Sequence, residues 1–337
     1  MESRKIVVRA PNWIGDSILA LPSLVNLKKN FPESELWIAA QEWVRDLFSM
    51  EDFVEGTIPL PEQNSFKNFN RSARKLREFQ FDTGILFTNS FGSALLFYLA
   101  RIPQRWGYKR DGRSLLLTTG VPVRYQENRH HQAHYYLDLI SDLGLKKYTT
   151  ELNLPLSQRE RARAQAWLNS LNIDTEKLLV ILNPGAFYGP AKRWPVSKYS
   201  ELASLLQQKS GAQILITGSA EEAPLANLIA SGMSKKPCIL AGCTSLLQLA
   251  AVISFGDLFV TNDSGPMHLA NALKIPVVAL FGPTDPQRTG PYQNPYTLFH
   301  KGAPCWPCSY RECPFDHRCM MNISTQEVFE ACQEFLR

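Results

Sequence analysis

The sequence predicts an α/β fold made of two Rossmann-like domains with mainly parallel sheets. Three observations point there. Apolar runs of strand length alternate with segments of helical periodicity, the pattern of a parallel sheet joined by crossover helices. The alternation stops at a charged helix, QRERARAQAWLNSL, and then begins again. A chain of 337 residues also suffices for two cores of about 150 residues each.

In order, KIVVRA reads as the first strand, followed by a helix from about Ser17 to Lys29, the strand ELWIAA, a helix near Trp43, the strand FDTGILF and a helix through SALLFYLA. After the charged helix come LLVILNPG, a helix from Val196 to Lys209, AQILITGS, a helix near Glu222, PCIL, a helix through LLQLAAVI, DLFVTND, a helix through MHLANAL, and PVVALFG. ELNLPLSQ, near Pro155, reads as the linker. No internal sequence repeat is visible, so the halves are expected to be alike in architecture only. A cleft between them is the expected ligand site, because open α/β sheets bind at the carboxyl ends of their strands.

Composition excludes several classes. No apolar run approaches the roughly 18 residues needed to span a bilayer, and MESRKIVVRAPNW enters a strand without an apolar signal core, which predicts a cytosolic protein. A net charge of +5 is too mild to suggest nucleic acid. Seven cysteines without a secretion signal point to reduced thiols or metal ligands rather than a disulfide framework.

Candidate chemistry lies where strands meet helices. In DLFVTNDSGPMHLANALKIPVVALFGPTDP the turn leaves Asp263, Ser264 and Gly265 at a strand end facing a helix N-terminus, which favours a phosphate, and His268 lies a turn further on. A plainer account has Asp263 or Ser264 as the cap and His268 half-buried. In NPGAFYGPAKRWP the glycines admit a ligand close to the backbone, and Lys192 and Arg193 suit a diphosphate. RAPNWIGDSILALPSL sets Asp16 at a helix start, as a cap, as chemistry, or as both. From Arg101 to Arg129 the basic residues Arg101, Arg105, Lys109, Arg110, Arg113, Arg124 and Arg129 outnumber Asp111 and Glu127, with Trp106 and Tyr108 as stacking surfaces for a sugar. Such a run is also what a solvated face looks like. Asn89, Ser90 and Ser93 sit at a strand-to-helix turn, where capping and ligand binding compete. Cys305, Cys308, Cys313 and Cys319, with His317, have the spacing of a small thiolate site. Buried structural thiols are the favoured reading there, and Cys238, Cys243 and Cys332 read as core filler.

Taken together, NPGA...PAKRWP, GSAEE, TNDSGPMHLANAL...FGPTDP, PNWIGDSILALPSL, FTNSFGSALLFYLARIPQRWGY and HHQAHYYLDLISDLG resemble the lipopolysaccharide heptosyltransferase family, glycosyltransferase family 9, in order and almost from end to end. Within it the resemblance is to the heptosyltransferase II branch, with branches I and III as alternatives. It implies a GT-B fold: residues 1–155 an acceptor-binding domain, 156–322 a donor domain for ADP-L-glycero-β-D-manno-heptose, and 323–337 a helix packing back toward the N-terminal domain. The acceptor implied is the first heptose of a lipid A–Kdo–heptose inner core, met at the cytoplasmic face of the inner membrane by peripheral contact. The resemblance makes Asp16 the base for an inverting transfer. Lys192 is catalytic and, with Gly185, Ala186, Glu221, Asp263, Ser264, Gly265 and His268, donor-binding; Asn12, Asn89, Ser90, Arg105, Lys109 and Arg110 face the acceptor. No cofactor and no metal are expected, since Lys192, His268 and helix amides would stabilise the departing ADP and no Asp-x-Asp pair is present. A nucleotide-binding oxidoreductase or epimerase is disfavoured, because APNWIGD stands where G-x-G-x-x-G would be. A metal-binding interaction module centred on the cysteines is the third reading.

Overall fold

The structure, a computed structural model, describes residues 5–61, 65–124, 130–293 and 295–337. Glu127 and Arg129 of the basic stretch lie outside the described residues. The chain divides into two compact units, residues 1–154 and 155–337.

The first unit is built on β1 (Lys5–Arg9), β2 (Glu35–Gln41), β3 (Val54–Leu60), β4 (Thr83–Leu86), β5 (Gln104–Tyr108) and β6 (Thr119–Val121). Their order is β3-β2-β1-β4-β5-β6, with every pair parallel. Val7 and Val8 of the central β1 are both fully buried, which is why its sequence is an unbroken apolar run. The order reverses between β1 and β4, where Arg9 lies level with Leu86. The loops leaving these two strands therefore open at the same edge of the sheet. In place of one helix from Ser17 to Lys29 there are two, Ile14–Leu19 and Leu21–Asn30. Pro22 lies in the first turn of the second, where its missing N–H is tolerated, and it deletes the hydrogen bond that would have fused the pair.

The second unit carries β7 (Leu179–Asn183), β8 (Gln213–Ile216), β9 (Cys238–Ile239), β10 (Leu258–Asn262), β11 (Val277–Phe281) and β12 (Tyr296–His300). The order β12-β11-β10-β7-β8-β9, again all parallel, places the first strand beside the fourth as in the first unit. The architecture thus repeats although the sequence does not. Residues 323–337 belong to the second unit. Helix Thr325–Phe335 buries Val328, Phe329 and Cys332 in the core of the second unit, against helix Val196–Lys209 and β11. Burying a side chain such as Val328 is worth about 1.5–3 kcal/mol, so the apolar face of this helix is committed to that core. Among the described residues no helix is long and apolar enough to cross a membrane.

Candidate active site

In the first unit the chain leaves β1 through Ala10, Pro11 and Asn12 before the helix containing Asp16. Arg9, buried at the end of β1, donates to the Ala10 carbonyl at 2.6 Å and to Asn12 Oδ1 at 2.7 Å. Burial pushes the Arg9 guanidinium down to about 10. The Trp43 indole donates to the Asn12 carbonyl at 2.8 Å. Asn12 is thereby pinned from two sides. Asp16 is not the cap that its sequence position suggested: Trp13 is the N-cap residue and Asp16 lies within the first turn. A carboxylate there is still favoured by the helix dipole. Its orientation comes from Tyr136, on helix Gln132–Asp142, whose hydroxyl donates to the Asp16 carboxylate. Burial, and then the charge of Asp16, raise the Tyr136 phenol well above its ordinary range, so Tyr136 stays a neutral donor.

The loop after β4 brings Asn89 and Ser90 to the same edge. Asn89 Oδ1 accepts from Tyr135 Oη at 2.6 Å and from Arg113 Nη2 at 3.2 Å, which leaves its amide to offer a ligand. Ser90 is the N-cap of helix Phe91–Leu99, accepting from the Ser93 amide at 3.2 Å. Lys109 and Arg110 follow β5 at this edge and are exposed. Arg105 is not there. It lies near the amino end of β5, roughly 10 Å of strand from the carboxyl edge, and donates to the carbonyls of Leu116 at 2.6 Å, Ile102 at 2.5 Å and Pro103 at 3.1 Å. The basic stretch is also less exposed than expected. Arg113 is wholly buried, bound to the Tyr108 and Thr88 carbonyls, and burial lowers it to about 10. Trp106 and Tyr108 are buried too, so neither offers a face to a sugar.

In the second unit the reversal lies between β7 and β10, and the predicted residues gather beside it. Lys192 Nζ and Asp263 Oδ2 form an ion pair whose side chains are 12 and 7 % exposed, and the same carboxylate oxygen accepts from Thr284 Oγ1 at 2.6 Å. The Lys192 ammonium also lies 4.9 Å above the Tyr188 ring. Ser264 occupies the N-cap position of helix Gly265–Ala272 without a side-chain cap bond. Its hydroxyl instead meets Thr261 Oγ1 at 3.1 Å and accepts from Asn183 Nδ2 at 3.2 Å. The helix start is thus left to a ligand's negative charge. His268 is buried on the same helix. Gly185 and Ala186 follow β7 directly. A Cβ on Gly185 would lie 2.1 Å from the Glu222 carboxylate, so any larger residue there would have to displace that side chain. Glu222 spends this carboxylate on the Ser219 amide at 2.9 Å. Glu221, beside it, is exposed at the carboxyl end of β8, its carboxyl lowered by hydrogen bonds from its own amide and from Ser219.

Several residues that hold this site were not anticipated. Asn262 donates to the Pro184 and Gly185 carbonyls at 2.7 and 3.3 Å, and its Oδ1 accepts from the Trp194 amide and Tyr199 Oη, both at 3.1 Å. Asn262 therefore ties the end of β10 to the glycine loop and to the segment after Lys192. Asn183, Thr217 and Thr284 were missed as well. Polar residues closing an apolar strand were the available signal for Asn183 and Asn262.

The cysteine segment buttresses the Lys192 loop. Tyr188 Oη donates to the Ser309 carbonyl at 2.6 Å, the Ala191 amide to Arg311 at 3.0 Å, and His317 Nε2 meets the Ala191 carbonyl at 2.7 Å. A Cβ on Gly189 would lie 2.3 Å from the Arg311 carbonyl oxygen. Cys305, Cys308, Cys313 and Cys319 line one cavity of about 420 Å³. Among the described residues no group of three or more His, Cys, Asp or Glu is set to hold a metal ion. The thiols are not uniformly structural either: Cys319 is buried, Cys308 and Cys313 half-buried and Cys305 exposed. Of the three read as core filler, Cys332 is buried, Cys238 half-buried and Cys243 exposed.

Comparison with known proteins fits this geometry. The sequence pattern of Glycosyltransferase family 9 (heptosyltransferase) matches residues 69–318. Lipopolysaccharide heptosyltransferase 2 of Escherichia coli K12 is 33% identical over 301 residues, 86% of each chain. Lipooligosaccharide heptosyltransferase 2 of Campylobacter jejuni is 29% identical over 340 residues, 99% of this chain and 98% of that one. The solved structure of E. coli ADP-heptose lipopolysaccharide heptosyltransferase II superposes with a TM-score of 0.84 at 30% identity, covering 98% of both chains. Two all-parallel sheets of matching order, polar groups gathered where each order reverses, and this likeness along the whole chain make it a member of glycosyltransferase family 9, the heptosyltransferases.

Proposed function

We propose that the protein is an inverting heptosyltransferase of type II, moving L-glycero-D-manno-heptose from ADP-heptose to the first heptose of a lipopolysaccharide inner core. The relatives named above support the type and substrates. The observation that carries the chemistry is the Lys192–Asp263 pair beside an uncapped helix start at the reversal point of the second sheet. In this reading Asp263 keeps an oxygen for sugar hydroxyls, while Lys192, the Gly265 amide and His268 meet the diphosphate. Gly185 and Ala186 bring backbone against the donor, Ser264 lines it, and Glu221 takes the adenosine ribose. The first unit supplies Asn12, the Asn89 amide, Lys109 and Arg110 for the acceptor, with Asp16 as base. Ser90 serves through its helix cap, and Arg105 drops out of the acceptor set.

The step is a single displacement. The acceptor hydroxyl oxygen bonds to the anomeric carbon as the bond from that carbon to the ADP phosphate oxygen breaks; the proton passes to Asp16 and the electron pair leaves with ADP. The growing charge on ADP is met by Lys192 and the helix amides. No metal or other cofactor has a part in this scheme. Asp16→Asn tests it. Transfer to a defined truncated core acceptor, followed by product analysis, should fall by at least about a hundredfold, while thermal stabilisation by ADP-heptose persists. Normal turnover by the variant would remove Asp16 from the mechanism.

A further inference from the structure

The turn that carries the first two thiols of the cysteine segment reaches both members of the Lys192–Asp263 pair, through one intermediate residue each. Toward Asp263, the Cys308 and Ser309 amides donate to the Pro283 carbonyl, both at 3.2 Å, and the Trp306 indole donates to the Thr284 carbonyl at 3.1 Å. Thr284 in turn gives its hydroxyl to Asp263 Oδ2 at 2.6 Å. Toward Lys192, the Ser309 carbonyl accepts from Tyr188 Oη at 2.6 Å, and the Tyr188 ring lies 4.9 Å from the Lys192 ammonium. Trp306 also packs on His300 of β12, ring centres 4.7 Å apart, so a shift of the turn passes to Thr284 rather than into a loose side chain. Within this turn Cys305 and Cys308 stand three residues apart, the spacing of redox-active dithiols. Both are free thiols and both line the cavity of about 420 Å³. Cys305 is exposed and Cys308 half-buried, the arrangement of an attacking and a resolving thiol. Cys313 and Cys319 line the same cavity but lie beyond the turn, and burial raises the Cys319 thiol, which keeps it protonated.

We infer that Cys305 and Cys308 form a peroxide-oxidised disulfide that switches the Lys192–Asp263 site. With hydrogen peroxide, the Cys305 thiolate attacks one oxygen and the O–O bond breaks; hydroxide leaves, takes up the thiol proton as water, and a sulfenic acid remains. The Cys308 thiol then attacks that sulfur, the S–S bond forms, the S–O bond breaks and a second water leaves. Two electrons have passed from the two sulfurs to the peroxide, and a dithiol reductant returns them by exchange. The disulfide holds the two Cβ atoms about 3.8 Å apart, a restraint that free thiols do not impose. Oxidation therefore redraws the turn and loosens its bonds to Pro283, Thr284 and Tyr188. The Lys192–Asp263 pair loses support on both sides, and donor affinity falls. The effect on the donor rests on the role proposed for that pair; formation of the disulfide does not.

Titrating the reduced full-length protein with hydrogen peroxide tests both parts. In mass spectrometry the tryptic peptide of residues 302–311, which contains both thiols, should lose two hydrogens and regain them with dithiothreitol. Amide hydrogen exchange around Tyr188 and Thr284 should speed up on oxidation, and KM for ADP-heptose should rise at least about fivefold. Cys305→Ser should show none of these responses and, because that side chain is exposed, should match reduced wild type in melting temperature and kinetics. Cys243→Ser, which removes another exposed thiol, should keep the full response. A peptide that stays reduced, one that stops at a sulfenic or sulfinic acid, or a disulfide to Cys313 or Cys319 would overturn the switch. Stoichiometric zinc in protein purified without added metal would do the same, because the thiols would then be ligands, as would a mapped disulfide with unchanged hydrogen exchange and KM. Reduced protein that does not use ADP-heptose would instead sink the transferase reading, and the mapped bond with its hydrogen exchange would still decide the switch.

Discussion

A carboxylate proposed to accept a proton in a transition state must be held at the angle at which it works, and Asp16, on a helix of only six residues, has little rigidity of its own. The Tyr136 hydroxyl supplies it. Tyr136→Phe should lower kcat by about tenfold while leaving KM for ADP-heptose unchanged, because orientation is lost and donor contacts are not. Steady-state kinetics against both substrates reads this split. A fall in melting temperature with normal kcat would make Tyr136 merely a core residue. The segments carrying Asp16, Lys192 and Asp263 stand out in the sequence because each follows an apolar strand, and the roles proposed for these residues come from the family resemblance. Tyr136 does not stand out, since its role depends on a helix 120 residues further along the chain that meets Asp16 only after folding. The same holds for Arg113. It reads as part of a basic surface and is in fact buried, holding the Thr88 carbonyl and Asn89 in place.

At the scale of elements, two contacts hold the loops at the carboxyl edge of the second sheet. Gly185→Ala would push a methyl group into the Glu222 carboxylate and break its bond to the Ser219 amide. The expected cost is about 1–2 kcal/mol in urea unfolding, and Glu222→Ala in the same chain should recover part of it, giving a non-additive cycle. Additive losses would show that the two residues do not meet. The Lys192–Asp263 pair is a sterner test. Lys192→Ala leaves a largely buried carboxylate without its cation and should cost about 3 kcal/mol, whereas Lys192→Ala with Asp263→Asn should cost clearly less, although under the proposed mechanism both should abolish transfer. Equal losses would mean that water screens the pair. Strand legibility follows burial. β1, β7, β10 and β11 read as apolar runs because helices cover both of their faces. β3, with Gly56 and Pro59, and β12, half-exposed, lie at sheet edges where such a run is not needed, and β5 hides its pattern behind Gln104 and Arg105.

The molecule as a whole is two units, each with a sheet and core of its own, so unfolding should show two transitions that respond to different variables. ADP, if held as proposed by the second unit, should stabilise that unit by about 2.7 kcal/mol at a hundredfold excess over Kd, and leave the other transition in place. The first unit has a pH lever instead. Burial, with the nearby Asp52 charge adding to it, raises the Glu51 carboxyl from 4.5 to about 7. Between those two values the folded state binds a proton that the unfolded state has released, so the stability of the first unit falls as pH rises from about 4.5 to 7. Glu51→Gln removes the titrating group. The variant should therefore melt like wild type near pH 4, and its first-unit transition should gain about 1–3 kcal/mol at pH 8. Differential scanning calorimetry at the two pH values, with and without ADP, reads both levers at once. If ADP and Glu51→Gln instead moved one shared transition together, the two units would unfold as a single thermodynamic unit and the assignment of a lever to each would fail.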